Sequence, residues 1–415
     1  MHEKVINIIV RLGEKGFVIF SLSLFSGIFG WDSLGDLMPR FIVGLMRYFL
    51  WGASMFLVCF FWRSTIIIVK QNIPLIALSL LAFFSFIWSD VPNFTLFNAR
   101  DIIMMTCFGL YFSTRFSLKE QVKLIAFTLF LGICLSIIAV ILIPSVGLHG
   151  FTAADVQIEN HSGSWRGVYG HKNIMGSTML LCSLIFFTLP KDCSRLYRLS
   201  GFILSLILML LSKSRTAFIL SFIIIGLVLF CKNFRWRGKI SVIFADIGIF
   251  FIGSTSLVLF TYWVELLSGL GRDPTLTGRT PIWESMIARL MERPLLGFGR
   301  GAFWAPKSKY AVQAGQAIGS GWVPPHGHNG LLDLAIDIGL IGLVLFLITY
   351  FTTVIKSLKI AYATKNNEEL FPIGYLIFLT INNVTESYLL RFANLFWVIF
   401  ITIAFNLNKE VKLIH

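Results

Sequence analysis

At 415 residues, the chain is 56% hydrophobic and only 13% charged, with a mean hydropathy of +0.79. That composition excludes a soluble globular protein, because apolar stretches of about 20 residues recur at the length needed to cross the hydrocarbon core as helices. The net charge of +14 would suggest nucleic acid in a soluble protein. Here the positive-inside rule absorbs most of it, and no nucleic-acid partner is expected.

In chain order, Met1 to Gly16 is charged and weakly amphipathic, with no small-residue cleavage site before Trp31, so the first helix is expected to be retained. Apolar runs predict spans near 16–31, 41–61, 73–89, 97–114 and 121–144, an N-terminal group over 1–144. An outer loop at 145–172 follows. Spans near 173–189, 197–212, 215–231 and 240–264 form a central group over 173–264. A long outer segment, 265–329, precedes a C-terminal group over 330–415, with spans near 330–354, 370–389 and 392–407. The expectation is an all-α polytopic membrane protein of about twelve transmembrane helices.

Charge orients the chain. Arg63 and Lys70; Arg115, Lys119 and Lys123; Lys191, Arg195 and Arg198; and Lys232, Arg235, Arg237 and Lys239 fall on one side. Lys4, Arg11, Lys15, Lys356, Lys359, Lys365, Lys409 and Lys412 join them, which reads as a cytoplasmic face holding both termini. Cys59, Cys107, Cys134, Cys182, Cys193 and Cys231 show no metal-ligand spacing and read as inert thiols.

The segment 265–329 is far longer than a connection needs. It carries Arg279, Trp283, Arg289, Arg293 and Arg300 and closes on Pro325-His326-Gly327-His328-Asn329. Arginine suits phosphate and histidine moves protons near neutral pH, so the chemistry is expected here. Trp283, Met286, Ile287 and Leu290 recur at i, i+3, i+4 and i+7. They predict an amphipathic helix that either lies on the outer membrane surface or packs on the roof of the bundle.

Each candidate has a plain structural reading beside the functional one. Arg215, in Leu211-Ser212-Lys213-Ser214-Arg215-Thr216, either snorkels to headgroups or binds phosphate at the start of the next helix. Arg279, in Gly278-Arg279-Thr280-Pro281-Ile282-Trp283, opens a helix that Thr280 and Pro281 explain in part; it competes with Arg289 for a diphosphate. His328 reads as a general base with His326 as its neighbour, and no carboxylate at ligand spacing supports a metal there. Trp165-Arg166-Gly167-Val168-Tyr169-Gly170-His171-Lys172-Asn173 is either an interfacial anchor or a sugar and phosphate contact, through Arg166, Tyr169, His171 and Lys172. Asp333 and Asp337 share a face of the span after His328, with Asp333 orienting His328 or balancing Arg215. Asp101 and Asp246 read as structural. Glu386, with Asn382, Asn383 and Arg391, suggests a polar cavity opening outward.

As an ordered set, these motifs resemble the superfamily of Wzy-type O-antigen and exopolysaccharide polymerases and O-antigen ligases. The resemblance also rests on Glu292-Arg293-Pro294-Leu295-Leu296-Gly297-Phe298-Gly299 and His326-Gly327-His328-Asn329-Gly330-Leu331-Leu332-Asp333, and it covers roughly 160 to 345. It implies a GT-C-like helical fold in the bacterial inner membrane, with its site on the periplasmic face. It implies an undecaprenyl-diphosphate-linked glycan as donor, a lipid-linked repeat unit or lipid A-core as acceptor, and neither cofactor nor metal. Membrane lipids, a chain-length regulator and a flippase would be neighbours. His328 matches the base of that family, and Arg215 and Arg279 match its diphosphate-binding arginines. Trp283, His326, Asn329 and Arg289 would help hold substrate. The motifs do not separate polymerase from ligase. A twelve-helix transporter and a non-catalytic scaffold are the competing classes; neither needs this set of Arg and His.

Overall fold

The computed structural model describes residues 2–28, 40–150, 162–233, 279–317, 323–363, 366–391 and 394–412. The expected span at 240–264 with Asp246, the stretch 265–278 and the loop part 151–161 lie outside them. Among the described residues the chain is helical throughout, with one isolated bridge between Leu148 and Trp165. In order these are α1 (His2–Phe25), α2 (Arg40–Phe60), α3 (Trp62–Gln71), α4 (Ile73–Phe84), α5 (Pro92–Arg115), α6 (Leu118–Leu142), α7 (Pro144–Gly147) and α8 (Lys172–Thr188). Then come α9 (Arg195–Leu211), α10 (Arg215–Asn233), α11 (Arg279–Leu290), α12 (Lys309–Gln316), α13 (Gly330–Ala363), α14 (Phe371–Thr385) and α15 (Leu395–Lys412).

Among the described residues three helices are long and apolar enough to cross a membrane: Phe41–Phe60 of α2, Leu118–Leu142 and Gly330–Ala363. A fourth is reached if the bent pair Trp62–Gln71 and Ile73–Ile87 is taken as one span. The other expected spans within the described residues coincide with helices of 12 to 24 residues. This all-helical build with several apolar helices is that of a polytopic membrane protein. The sequence treats 62–72 as a basic connection, whereas the structure coils it into α3, which meets α4 at 97°. Asn72 makes that corner, its side chain donating to the Ile68 carbonyl at 2.9 Å while Pro74 starts a new helix.

Local sequence sets the helix ends. Ser117 and Glu120 form a reciprocal capping box at the start of α6. Ser194 and Ser308 cap α9 and α12 through their hydroxyls. In the bundle α5 packs against α2, α4 and α15, while α8 lies among α9, α10 and α14. At the end remote from the 279–329 loop, Arg11 meets Glu120 at 2.8 Å and Arg115 meets Glu14 at 2.7 Å, tying α1, α5 and α6 together. Lys119 and Lys123 share Asp192 there, at 3.0 and 2.8 Å.

The feature that positions the site is a break in α13. Ile338 (φ −133°, ψ 18°) and Gly339 (φ 70°, ψ −176°) leave helical geometry. A membrane-buried break must satisfy its backbone groups within the protein. The loop 294–299 does so: Phe298 and Gly299 donate to the Ile336 and Asp337 carbonyls at 2.9 and 2.8 Å, and Leu340 donates to the Pro294 carbonyl at 2.7 Å. Asp333 and Asp337 therefore sit on a short segment ahead of the break, wrapped by the loop, rather than on one continuous span. Gly339 occupies a backbone region open only to glycine, and an added Cβ would lie 2.1 Å from the Leu295 carbonyl oxygen. Gly339→Ala is expected to destabilise the protein by at least about 2 kcal/mol. Thermal unfolding in detergent checks it; an unchanged midpoint would mean the loop does not hold the break.

Candidate active site

The loop packs on α13 through its own small core. Helix α11 buries Ile282, Met286 and Leu290 at i, i+4 and i+8 against Phe298, Phe303, Tyr310 and the first turns of α13. Of the two arrangements the sequence allows for this helix, this is packing on the bundle roof. Ile287, which the sequence placed on the apolar stripe, is 50% exposed.

That packing brings the His-Gly-His turn to α13. Trp283 donates its indole N–H to the Gly327 carbonyl at 2.7 Å. The Gly327 N–H lies 3.1 Å from both oxygens of the Asp333 carboxylate. A Cβ at Gly327 would stand 2.5 Å from the Met286 sulfur. His328 adopts a left-handed φ of 51°, uncommon outside glycine and typical of functional turns. Asn329 caps α13, its side-chain oxygen accepting from the Leu331 and Leu332 N–H groups at 3.2 Å. Asp333 also accepts from the Trp304 indole at 2.7 Å and from the Ser387 hydroxyl, and Arg391 lies 4.0 Å away. It orients the backbone of the turn rather than the His328 ring.

The ring of His328 faces a different carboxylate. Its Nδ1 is 3.6 Å from Oε2 of Glu386, at the end of α14, and Asn173 of α8 donates to the other Glu386 oxygen at 3.3 Å. His326 stands beside it, ring centroids 4.1 Å apart, and accepts the His328 N–H on its Nδ1 at 3.2 Å. A polar pocket of about 140 Å³ opens next to Glu386, lined by Asn173, Ser177, Ser214, Arg279 and Asn382. Arg279 thus reaches the cluster. The pocket also meets the first turns of α8 and α10, whose positive dipole ends favour an anion.

The remaining sequence candidates divide. The backbone of Arg215 opens α10 beside this pocket, and its side chain lies outside the described set. His171 caps α8 by accepting the Asn173 N–H, and the Lys172 N–H donates to His149. Arg166 donates to the carbonyls of Val146 and Ser145 at 2.9 and 2.8 Å, holding the turn after α6. Tyr169 is only 1% exposed, so its ring is inside the bundle rather than offered for stacking. Arg289 engages Glu292 and Gln313, tying α11 to α12. Sequence reasoning did not single out Asn173, Ser177, Ser214 or Trp304. Asn173 stands inside a motif already noted, but its role depends on α14 arriving from more than 200 residues away.

Residues 200–347 match the family model Wzy_C, described as O-Antigen ligase. The chain carries an O-antigen ligase family domain. That stretch contains α9 to the middle of α13, hence Arg215, Arg279, His326 and His328, but neither Asn173 nor Glu386. The exopolysaccharide production protein ExoQ of Rhizobium meliloti is 31% identical over 180 residues, 41% of each chain. A putative polysaccharide ligase of Rickettsia conorii is 34% identical over 85 residues, 19% of each. The matches span less than half the length of either relative.

Burial, with the charges of Arg391, His328 and Arg279 adding to it, holds His326 well below its ordinary 6.5. The unfolded chain takes up that proton near 6.5 while the folded protein resists it. The stability His326 contributes is therefore present above that pH and is lost as pH falls below it. Acidification from about pH 7 to pH 5 is expected to lower the thermal midpoint, and His326→Asn to flatten the fall. Parallel curves for both proteins would show that His326 is in contact with water.

Proposed function

We propose that this chain is a polymerase-type glycosyltransferase. It moves a growing glycan from undecaprenyl diphosphate to the non-reducing end of a lipid-linked repeat unit, at the periplasmic face of the inner membrane. The observation that carries this reading is the convergence of Glu386 and Arg279 on one polar pocket at the starts of α8 and α10, with His328 3.6 Å from the Glu386 carboxylate. A diphosphate ester is already a good leaving group. The protein need only hold its growing charge, which arginines do without a metal.

In this reading the acceptor hydroxyl attacks the anomeric carbon and its C–O bond forms with inversion as the bond to the diphosphate breaks. His328 takes the hydroxyl proton, Glu386 stabilises the resulting imidazolium, and Arg279 with Arg215 neutralises the departing diphosphate. The proton then leaves to solvent or to the diphosphate. An apolar cleft of about 230 Å³ between α13 and α14 runs from Phe346, Tyr350 and Phe351 up to Asn329. It offers the prenyl tail a path that ends beside the base.

A ligase acting on lipid A-core or protein uses the same donor and the same residues. The description of the matched family as O-Antigen ligase favours that second reading. Purified protein given undecaprenyl-diphosphate repeat units alone is expected to yield a ladder of products on a gel. Transfer only after lipid A-core is added would make it a ligase, and silence with both would defeat each reading. His328→Ala is expected to lower turnover by roughly 10² to 10⁴, with donor binding retained. Arg279→Ala is expected to cost on the order of 10² and to weaken the donor. An active His328→Ala protein would remove the base from this scheme.

A further inference from the structure

His326, His328 and Glu386 each bring a ligand atom within 4.8 Å of the others. We propose that these three side chains bind a Zn²⁺ ion, with its fourth position open to the pocket, and that the ion switches the site off. In the sequence, His326 and His328 have no carboxylate at ligand spacing; the fold supplies one from the end of α14. Two histidines and one glutamate are a set zinc takes when it keeps a position for an exogenous ligand.

The geometry suits a metal better than a hydrogen bond. The 3.6 Å between His328 Nδ1 and Glu386 Oε2 exceeds the usual reach of about 2.7–3.2 Å for a good hydrogen bond. It is near the roughly 3.3 Å that separates two ligands on a tetrahedral ion with bonds of about 2.0–2.1 Å. Asn173 holds Oε1 of Glu386 at 3.3 Å, which leaves Oε2 turned to His328 and gives the carboxylate the outer support that metal ligands need. Arg279 and Arg391 oppose a dication here, and Glu386 and Asp333 offset them.

A metal on His328 Nδ1 obliges a neutral ring to carry its hydrogen on Nε2. That ring no longer accepts a proton from an acceptor hydroxyl. Switching off therefore rests on the function proposed above, whereas metal binding does not.

The test uses the full chain in detergent, without a polyhistidine tag and stripped of metal, with Co²⁺ as the probe. The expected result is the visible absorption of four-coordinate Co²⁺, saturating at a single equivalent and displaced by Zn²⁺. His326→Ala, His328→Ala and Glu386→Gln should each weaken binding by about 10-fold or more. Absence of those bands, or full binding by Glu386→Gln, overturns the site. Thermal unfolding of the metal-free variants separates lost ligation from lost folding. In the polymerisation assay Zn²⁺ should stop the ladder and EDTA restore it; a ladder that persists under saturating Zn²⁺ overturns the switch. Metal binding without any ladder in metal-free protein would sink the proposed reaction and leave the site standing.

Discussion

The carboxylate of Asp333 is the contact on which the rest of the loop end depends. A buried carboxylate costs several kcal/mol unless donors surround it. Here the donors are the Gly327 N–H, the Trp304 indole and the Ser387 hydroxyl, with the Arg391 guanidinium next to them. Each comes from a different part of the chain: the His-Gly-His turn, the aromatic cluster of the loop and the segment after α14. One side chain on the first turn of α13 therefore fixes three separately arriving pieces. The same contacts hold the backbone on which His328 is presented to Glu386.

The break in α13 makes that arrangement available. A helix of 34 residues would run to about 50 Å, well beyond a hydrocarbon core of roughly 30 Å. Interrupting it at Ile338 and Gly339 leaves a longer apolar segment after the break and a short one ahead of it that the loop wraps. Arg300 secures the junction, reaching Asp337 at 3.0 Å and the Leu390 carbonyl at 2.7 Å. Nearby, Arg47 of α2 pairs with Asp101 of α5. In each of these two buried pairs the charges offset part of each other's desolvation and fix the positions of their side chains.

Much of this was legible in the sequence because it depends on local pattern. Apolar length marked the helices. The two long polar segments announced themselves by excess length and by their basic and histidine residues. What the sequence left hidden is what long-range packing decides. The stripe on α11 was read one position askew: Ile287 and Trp283 look equivalent by periodicity, yet only Trp283 has a carbonyl to meet. Tyr169 looked like a stacking ring because an aromatic beside glycines is common in sugar sites, but the bundle took it inward. Glu386 read only as part of a polar cavity. Its pairing with His328 needs the end of α14 and the start of α13 to be neighbours, and no spacing rule encodes that. The broken helix was hidden for a related reason: Ile338-Gly339 is an ordinary apolar pair until the loop is laid across it.

The pocket must meet two demands that pull against each other. The lipid diphosphate of the proposed reaction would call for positive potential, which Arg279 and the starts of α8 and α10 bring to the pocket. The same potential discourages any nearby imidazole from accepting a proton. His326 shows the effect, being driven neutral by burial and by the surrounding arginines. In the proposed reaction a base placed among such cations would need its own counter-charge, and Glu386 stands 3.6 Å from His328. Asn173 keeps that carboxylate turned the right way. His326 accepts the His328 N–H on its Nδ1 and so supports the backbone of the turn, while the Glu386 carboxylate stands nearest the His328 ring nitrogen at 3.6 Å.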